Sequence, residues 1–75
     1  MLTEEQIRIL RFCFKLRIEQ MKQGKLDHDF YVESGKFNED LEDAKVSNID
    51  KDTFRFIDQI FKDELIKASF NPNYN

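Results

Sequence analysis

Few residues of this 75-residue chain could do chemistry, and the single histidine is the first candidate. His28 lies between Asp27 and Asp29, an arrangement that could serve a general base or a metal ligand. A zinc site would need carboxylates for most of its ligands, because the chain has no second histidine and one distant cysteine. We therefore interpret His28 as a surface histidine.

The alternating acidic residues that begin at Asp27 suggest a calcium-binding loop. An EF-hand loop requires Gly at its sixth position and a bidentate Glu at its twelfth. Counted from Asp27, these positions hold Val32 and Asn38. Because the pattern fails at both positions, we expect a solvated acidic segment without a metal.

Hydroxyl and thiol side chains offer no catalytic arrangement. Nucleophilic catalysis needs such a group beside a base that a third group orients. The serines and threonines occupy expected caps, turns and helix ends, and Cys13 lies in an apolar stripe where a core role is expected. Gly24 and Gly35 are the two glycines, too few for a phosphate-binding loop. We expect no enzymatic activity and no cofactor.

Basic side chains share one face of the first predicted helix. They are Arg8, Arg11, Lys15 and Lys22. This stripe could follow a phosphate backbone, so a small dimeric nucleic-acid-binding transcriptional regulator is the alternative function. Glu4 and Glu19 interrupt the stripe and can pair with Arg8 and Lys15, and the chain as a whole carries a net charge of −3. A solvated, partly self-paired face is therefore favoured.

Charge is unevenly distributed along the chain. Residues 1–25 carry six basic and three acidic side chains, a net +3, whereas residues 26–53 carry three basic and nine acidic ones, a net −6. The densest acidic block consists of Glu39, Asp40, Glu42 and Asp43. We expect this block to form a patch that faces the basic surface of a protein partner and repels a phosphate backbone.

The periodicity predicts a mostly α fold in one small domain. Thr3 and Gln6 form a capping box that begins a helix over residues 3–23, and a second helix over 50–70 follows a cap at Asp50. Residues 26–49 form an acidic middle segment with a hairpin-like stretch at 30–32 or a short helix capped by Asn38. Residues 71–75 form a tail. We expect the two long helices to pack antiparallel.

The first helix is apolar around too much of its circumference. One stripe comprises Ile7, Leu10, Phe14, Ile18 and Met21. It is expected to face a stripe of the second helix formed by Phe54, Ile57, Phe61 and Leu65. A second, nearly opposite stripe is surplus, since a helix apolar nearly all round is expected to be buried and 75 residues provide little protein to cover it.

The surplus stripe is left for the middle segment or for a partner. The predicted partner or dimer interface comprises Ile9, Phe12, Cys13, Leu16, Arg17 and Gln20. Within it, Arg17 either anchors an interface through its guanidinium or extends to solvent at the rim. Self-association is expected because a domain of this size often needs oligomerisation to add to a small core.

These features favour a non-catalytic protein-binding regulator or inhibitor that occupies a protein partner as a homodimer. No uninterrupted apolar stretch exceeds three residues, so no membrane span is expected. The absence of paired cysteines and of a signal-peptide pattern favours a cytoplasmic protein. A composition rich in Lys, Asn, Ile and Phe is typical of small phage or mobile-element proteins.

Overall fold

Four helices and no strand make up the part of the chain that the structure describes. This computed structural model describes residues 1–70, so the predicted tail at 71–75 lies outside the described residues. The helices are α1 (Glu4–Lys22), α2 (His28–Glu33), α3 (Lys36–Asp43) and α4 (Lys51–Phe70). The predicted mostly α fold, with two long helices that pack together, is confirmed. Within residues 1–70, no helix combines the length and apolarity needed to cross a bilayer.

The relative direction of the two long helices differs from the antiparallel arrangement that we expected. Ile7 near the start of α1 lines the same groove as Phe56 near the start of α4, and Phe14 contacts Phe61 one to two turns further along. Helices α1 and α4 therefore run parallel to each other. Helix α3 runs in the opposite direction. Its Asp40 binds Arg17 in the second half of α1, whereas the carbonyl of Lys45, just beyond α3, accepts a hydrogen bond from Gln6 near the start of α1.

The ends of α1 follow the sequence prediction. The Thr3 hydroxyl accepts a hydrogen bond from the Gln6 amide at 3.1 Å, and the Thr3 amide donates to the Gln6 side chain at 2.9 Å. At the other end, Gly24 adopts a φ of 74°, and its amide donates to the Met21 carbonyl. This left-handed conformation is readily available to glycine and closes the helix after Gln23.

The middle segment is helical, so the hairpin alternative is wrong. The Asp27 carboxylate accepts hydrogen bonds from the amides of Asp29 and Phe30, which starts α2. Gly35, with a φ of 90°, separates α2 from α3. Helix α3 begins two residues before Asn38, so Asn38 is not its cap. Local capping thus overrides the β preference of residues 30–32.

Asp50 caps α4, as predicted. Its carboxylate accepts a hydrogen bond from the Thr53 amide at 2.7 Å, and this bond lowers the pKa of Asp50. A carboxylate at this position also interacts favourably with the positive end of the helix dipole. The cap fixes where α4 begins and therefore which of its residues meet the start of α1.

One core joins α1, α3 and α4. Its buried members are Leu10, Phe14, Leu41, Ala44, Ile57 and Ile60. The ring of Phe14 lies edge-on to Phe61, with 5.3 Å between centroids. The predicted stripe of α1 is correct at its centre, since Leu10, Phe14 and Ile18 are the buried residues of that helix.

The buried face of α4 is rotated from the predicted stripe. Phe54 and Leu65 are 50% and 43% exposed, whereas Ile60 and Glu64 are buried. The positions 57, 60, 64 and 68 share the same helical spacing as the predicted set, and α1 and α3 together cover that side. Glu64 is accommodated there because its carboxylate binds the Lys67 ammonium at 3.1 Å.

Candidate interaction surfaces

A buried polar cluster links the first three helices. The Arg17 guanidinium binds both carboxylate oxygens of Asp40, with Nε–Oδ2 and Nη2–Oδ1 distances of 3.0 and 2.9 Å. The Tyr31 hydroxyl donates to Oδ2 of Asp40 at 2.7 Å. Asp40 and Tyr31 are 2% and 1% exposed. Because each member bonds to another, the cluster ties α1, α2 and α3 together.

The protonation states of this cluster suit a structural role. Burial and the hydrogen bond to Asp40 raise the pKa of the Tyr31 hydroxyl, so it remains a donor at neutral pH. The hydrogen bond to Asp40 likewise raises the pKa of Arg17. Within residues 1–70, no buried side-chain nitrogen or oxygen lacks a hydrogen-bond partner. The cluster therefore joins three helices, and each of its polar groups has a hydrogen-bond partner within the fold.

This cluster corrects two sequence interpretations. Arg17 does not extend freely to solvent, because its guanidinium is held by Asp40 and its side chain is 19% exposed, and its role at an interface stays a prediction. Asp40 does not belong to a partner-facing acidic patch, because it is buried. An arginine within an apolar stripe and an acid-rich segment later in the chain were the signals for this ion pair. The sequence alone did not show that the chain reverses direction and brings the two side chains together.

Cys13 lies beside this cluster, where two carboxylates approach its thiol. Its thiol and the carboxylates of Asp40 and Asp43 lie within 4.8 Å of one another. Both oxygens of Asp40 are already bound by Arg17 and Tyr31. Burial, together with the two neighbouring carboxylates, raises the pKa of the Cys13 thiol and so favours its neutral form.

His28 is exposed, as predicted. Its imidazole lies 3.7 Å from the Asp29 carboxylate, and its ring centroid is 6.0 Å from that of Phe61. Beside it, α2, α3 and α4 enclose a mostly apolar cavity of about 180 Å³ that Tyr31, Phe37 and Phe61 help to line. His28 and Asp58 also line this cavity.

One part of the surplus stripe of α1 is exposed, and the other part is partly buried. Phe12 and Leu16 are 71% and 45% exposed. Ile9 and Cys13 pack partly against the core, and Gln20 is half-buried. Helix α3 thus covers one margin of the predicted interface and leaves the other open. The open part is a strip centred on Phe12 and Leu16, called the Phe12 strip below.

Charged margins flank the Phe12 strip. On one side, Arg8 of the basic stripe pairs with Glu5, rather than with Glu4 as expected, and Arg11 is exposed. On the other side, α3 presents exposed carboxylates. This acidic edge consists of Glu39, Glu42 and Asp43. The α1 margin also contains Glu19, so it is net basic rather than uniformly basic, and it lies across the strip from the carboxylates of α3.

An open groove, which the sequence did not reveal, lies where α1 and α4 begin. Its volume is about 510 Å³, and its lining consists of Met1, Leu2, Ile7, Asp50, Asp52, Thr53 and Phe56. Phe56 is 46% exposed, and its position off the core face of α4 was the available signal. The groove thus combines apolar side chains with two carboxylates. Comparisons with protein-family models, with curated proteins and with solved structures find no match for this chain.

Proposed function

We propose that this protein is a non-catalytic regulator that acts by occupying a protein partner. The groove between the starts of α1 and α4 takes an apolar segment of that partner with basic residues beside it. The observation that carries this proposal is the pairing of an exposed aromatic ring, Phe56, with the carboxylates of Asp50 and Asp52 in one open groove. Inhibition by occupation requires affinity alone, so no catalytic group is needed.

The chemistry of the groove defines the partner. Leu2, Ile7 and Phe56 offer apolar surface to a large aliphatic or aromatic side chain. The groove volume of about 510 Å³ lies within the ordinary range of small binding sites. The Asp52 side chain is 92% exposed and lies 3.9 Å from Arg55, a loose contact that leaves its charge available to a lysine or arginine of the partner.

A capture experiment with paired variants tests this assignment. The tagged protein, Phe56→Asp and Ile66→Asp are each used to capture proteins from cells of the source organism, and the captured proteins are quantified by mass spectrometry. Ile66 is the matched control because it is also an exposed apolar residue of α4, at 50% exposure. We expect one protein to be retained by the wild type and the control and reduced at least about tenfold with Phe56→Asp.

Two outcomes would contradict the proposal. Equal capture by all three forms would show that the groove is not the binding site. Capture that disappears after nuclease treatment would instead favour the nucleic-acid alternative. For a captured partner that passes both checks, Asp52→Lys should weaken its binding, and the loss should shrink as salt concentration rises.

A further inference from the structure

We propose that a second copy of this chain occupies the Phe12 strip, giving a two-fold dimer in which the two α1 helices lie side by side and parallel. The strip is separate from the groove between α1 and α4. At roughly 100° per residue, Ile7 and Phe12 point about 140° apart around α1. The dimer therefore does not depend on the proposed function, and either can fail alone.

The order of residues around α1 is the first step. At the same angular spacing, Arg8, Phe12, Leu16 and Cys13 follow one another around the helix. Beyond Cys13 comes α3, since the Asp43 carboxylate lies within 4.8 Å of the Cys13 thiol. The exposed strip thus runs between a basic margin on α1 and the acidic edge of α3.

Symmetry then selects the arrangement. In a two-fold dimer the same patch serves both copies, and the axis lies within the interface. An axis parallel to α1 brings the basic margin of each copy against the acidic edge of the other. An axis perpendicular to α1 brings like charges together on both sides. The parallel arrangement also brings the Glu5 side chains of the two copies together, where the Arg8 of each copy pairs with its own Glu5. Because unlike charges attract and like charges destabilise an interface, the pairing of the two margins favours the parallel arrangement.

Burial of the apolar strip favours association of the two copies, and the charged margins determine their relative orientation. Phe12 is 71% exposed, a large fraction for an aromatic ring on the middle of a helix. In the parallel dimer, Phe12 and Leu16 each meet their own counterparts along the axis. Burying these rings and methyl groups removes apolar surface from water. Both grooves then lie at the same end of the dimer, because both α1 helices begin there.

The oligomeric state is the first test. We expect sedimentation equilibrium to report twice the 9.1 kDa chain mass at micromolar concentration. Phe12→Asp should raise the dimer dissociation constant at least about tenfold, whereas Ile66→Asp should leave it nearly unchanged. Circular dichroism checks that each variant is folded. A wild-type protein that stays monomeric, or equal effects of the two variants, would overturn the proposal.

A charge reversal keeps the test valid if Phe12→Asp does not fold. Arg8→Glu places a negative charge on the basic margin and should weaken the dimer. Its matched control is Arg55→Glu, since both arginines are exposed and pair with a carboxylate three residues earlier. The two changes should have similar, small effects on monomer stability. If both substitutions weaken dimerisation equally, the basic margin around Arg8 is not part of the dimer interface.

Crosslinking tests the direction of the helices. In a Cys13→Ser background, Glu5→Cys and Gln23→Cys are oxidised separately and as a mixture of differently sized forms. The two positions are about 27 Å apart along α1. A parallel dimer gives covalent homodimers of each form and no mixed species. A mixed 5–23 product would show the antiparallel arrangement and overturn the parallel one.

Discussion

Arg17 and Asp40, 23 residues apart in the sequence, form a two-point ion pair with both nitrogen–oxygen distances at or below 3.0 Å. Tyr31 completes the pair by donating to Oδ2 of Asp40. This contact fixes α3 alongside α1. It therefore also sets the position of the acidic edge beside the Phe12 strip, so a buried ion pair determines the charge pattern of an exposed surface.

Removing Asp40 should destabilise the protein strongly. Asp40→Ala leaves the Arg17 guanidinium without its counter-ion and the buried Tyr31 hydroxyl without an acceptor. We expect a loss of about 3 kcal/mol in the free energy of unfolding, measured by urea titration at dilute concentration. Glu42→Ala, an exposed residue of the same helix, should change it by less than about 0.5 kcal/mol. Similar values for both variants would show that the cluster adds no stability.

Tyr31 should make stability fall at alkaline pH. Its burial and its bond to Asp40 raise the pKa of the phenol in the folded state, whereas an unfolded tyrosine ionises near pH 10. The contribution of the neutral Tyr31 hydroxyl to stability is therefore complete below about pH 10, and the free energy of unfolding decreases as pH rises above this value. Tyr31→Phe should remove this part of the decline.

The titration itself is measurable by ultraviolet absorbance of the ionised phenol. Tyr74→Phe leaves Tyr31 as the remaining tyrosine, because the chain has two. We expect no ionisation of Tyr31 near pH 10 while the protein stays folded. Ionisation at the ordinary pKa of tyrosine would contradict the buried hydrogen bond.

Two phenylalanines of α1 provide a paired test of the core. Phe14 is fully buried and Phe12 is 71% exposed, although they lie two residues apart. Phe14→Ala should cost about 3–5 kcal/mol of unfolding free energy. Phe12→Ala should cost less than about 1 kcal/mol when measured on the monomer. A reversed order would mean that α1 is rotated relative to the core described above.

The helix ends could be predicted because their signals are local. Thr3 and Gln6 form one capping box and Asp50 forms a second cap, each acting within three residues along the chain, and the structure confirms both caps. The direction of α4 could not be predicted, because it depends on how α3 returns along α1. That return is fixed by Arg17 and Asp40, a contact between distant segments that no local pattern reveals.

The surfaces were predicted in part. Periodicity identified Phe12 and Leu16 as surplus, and both are exposed. It could not show that α3 covers Cys13 or that Asp40 turns inward. The groove at Phe56 was missed because it forms between the starts of two helices whose relative direction was unknown.

Duplex DNA should bind this protein no more tightly than roughly 10⁻⁴–10⁻⁶ M at physiological salt, the generic level for charge-driven contact. The chain carries a net charge of −3, Arg8 is paired with Glu5, and the exposed acidic edge repels phosphates. Fluorescence anisotropy with labelled duplex at low and moderate salt measures the affinity, and Arg11→Glu is compared with Arg55→Glu. Sub-micromolar, salt-sensitive binding that Arg11→Glu alone abolishes would contradict a protein-binding role and favour nucleic-acid recognition by the basic stripe.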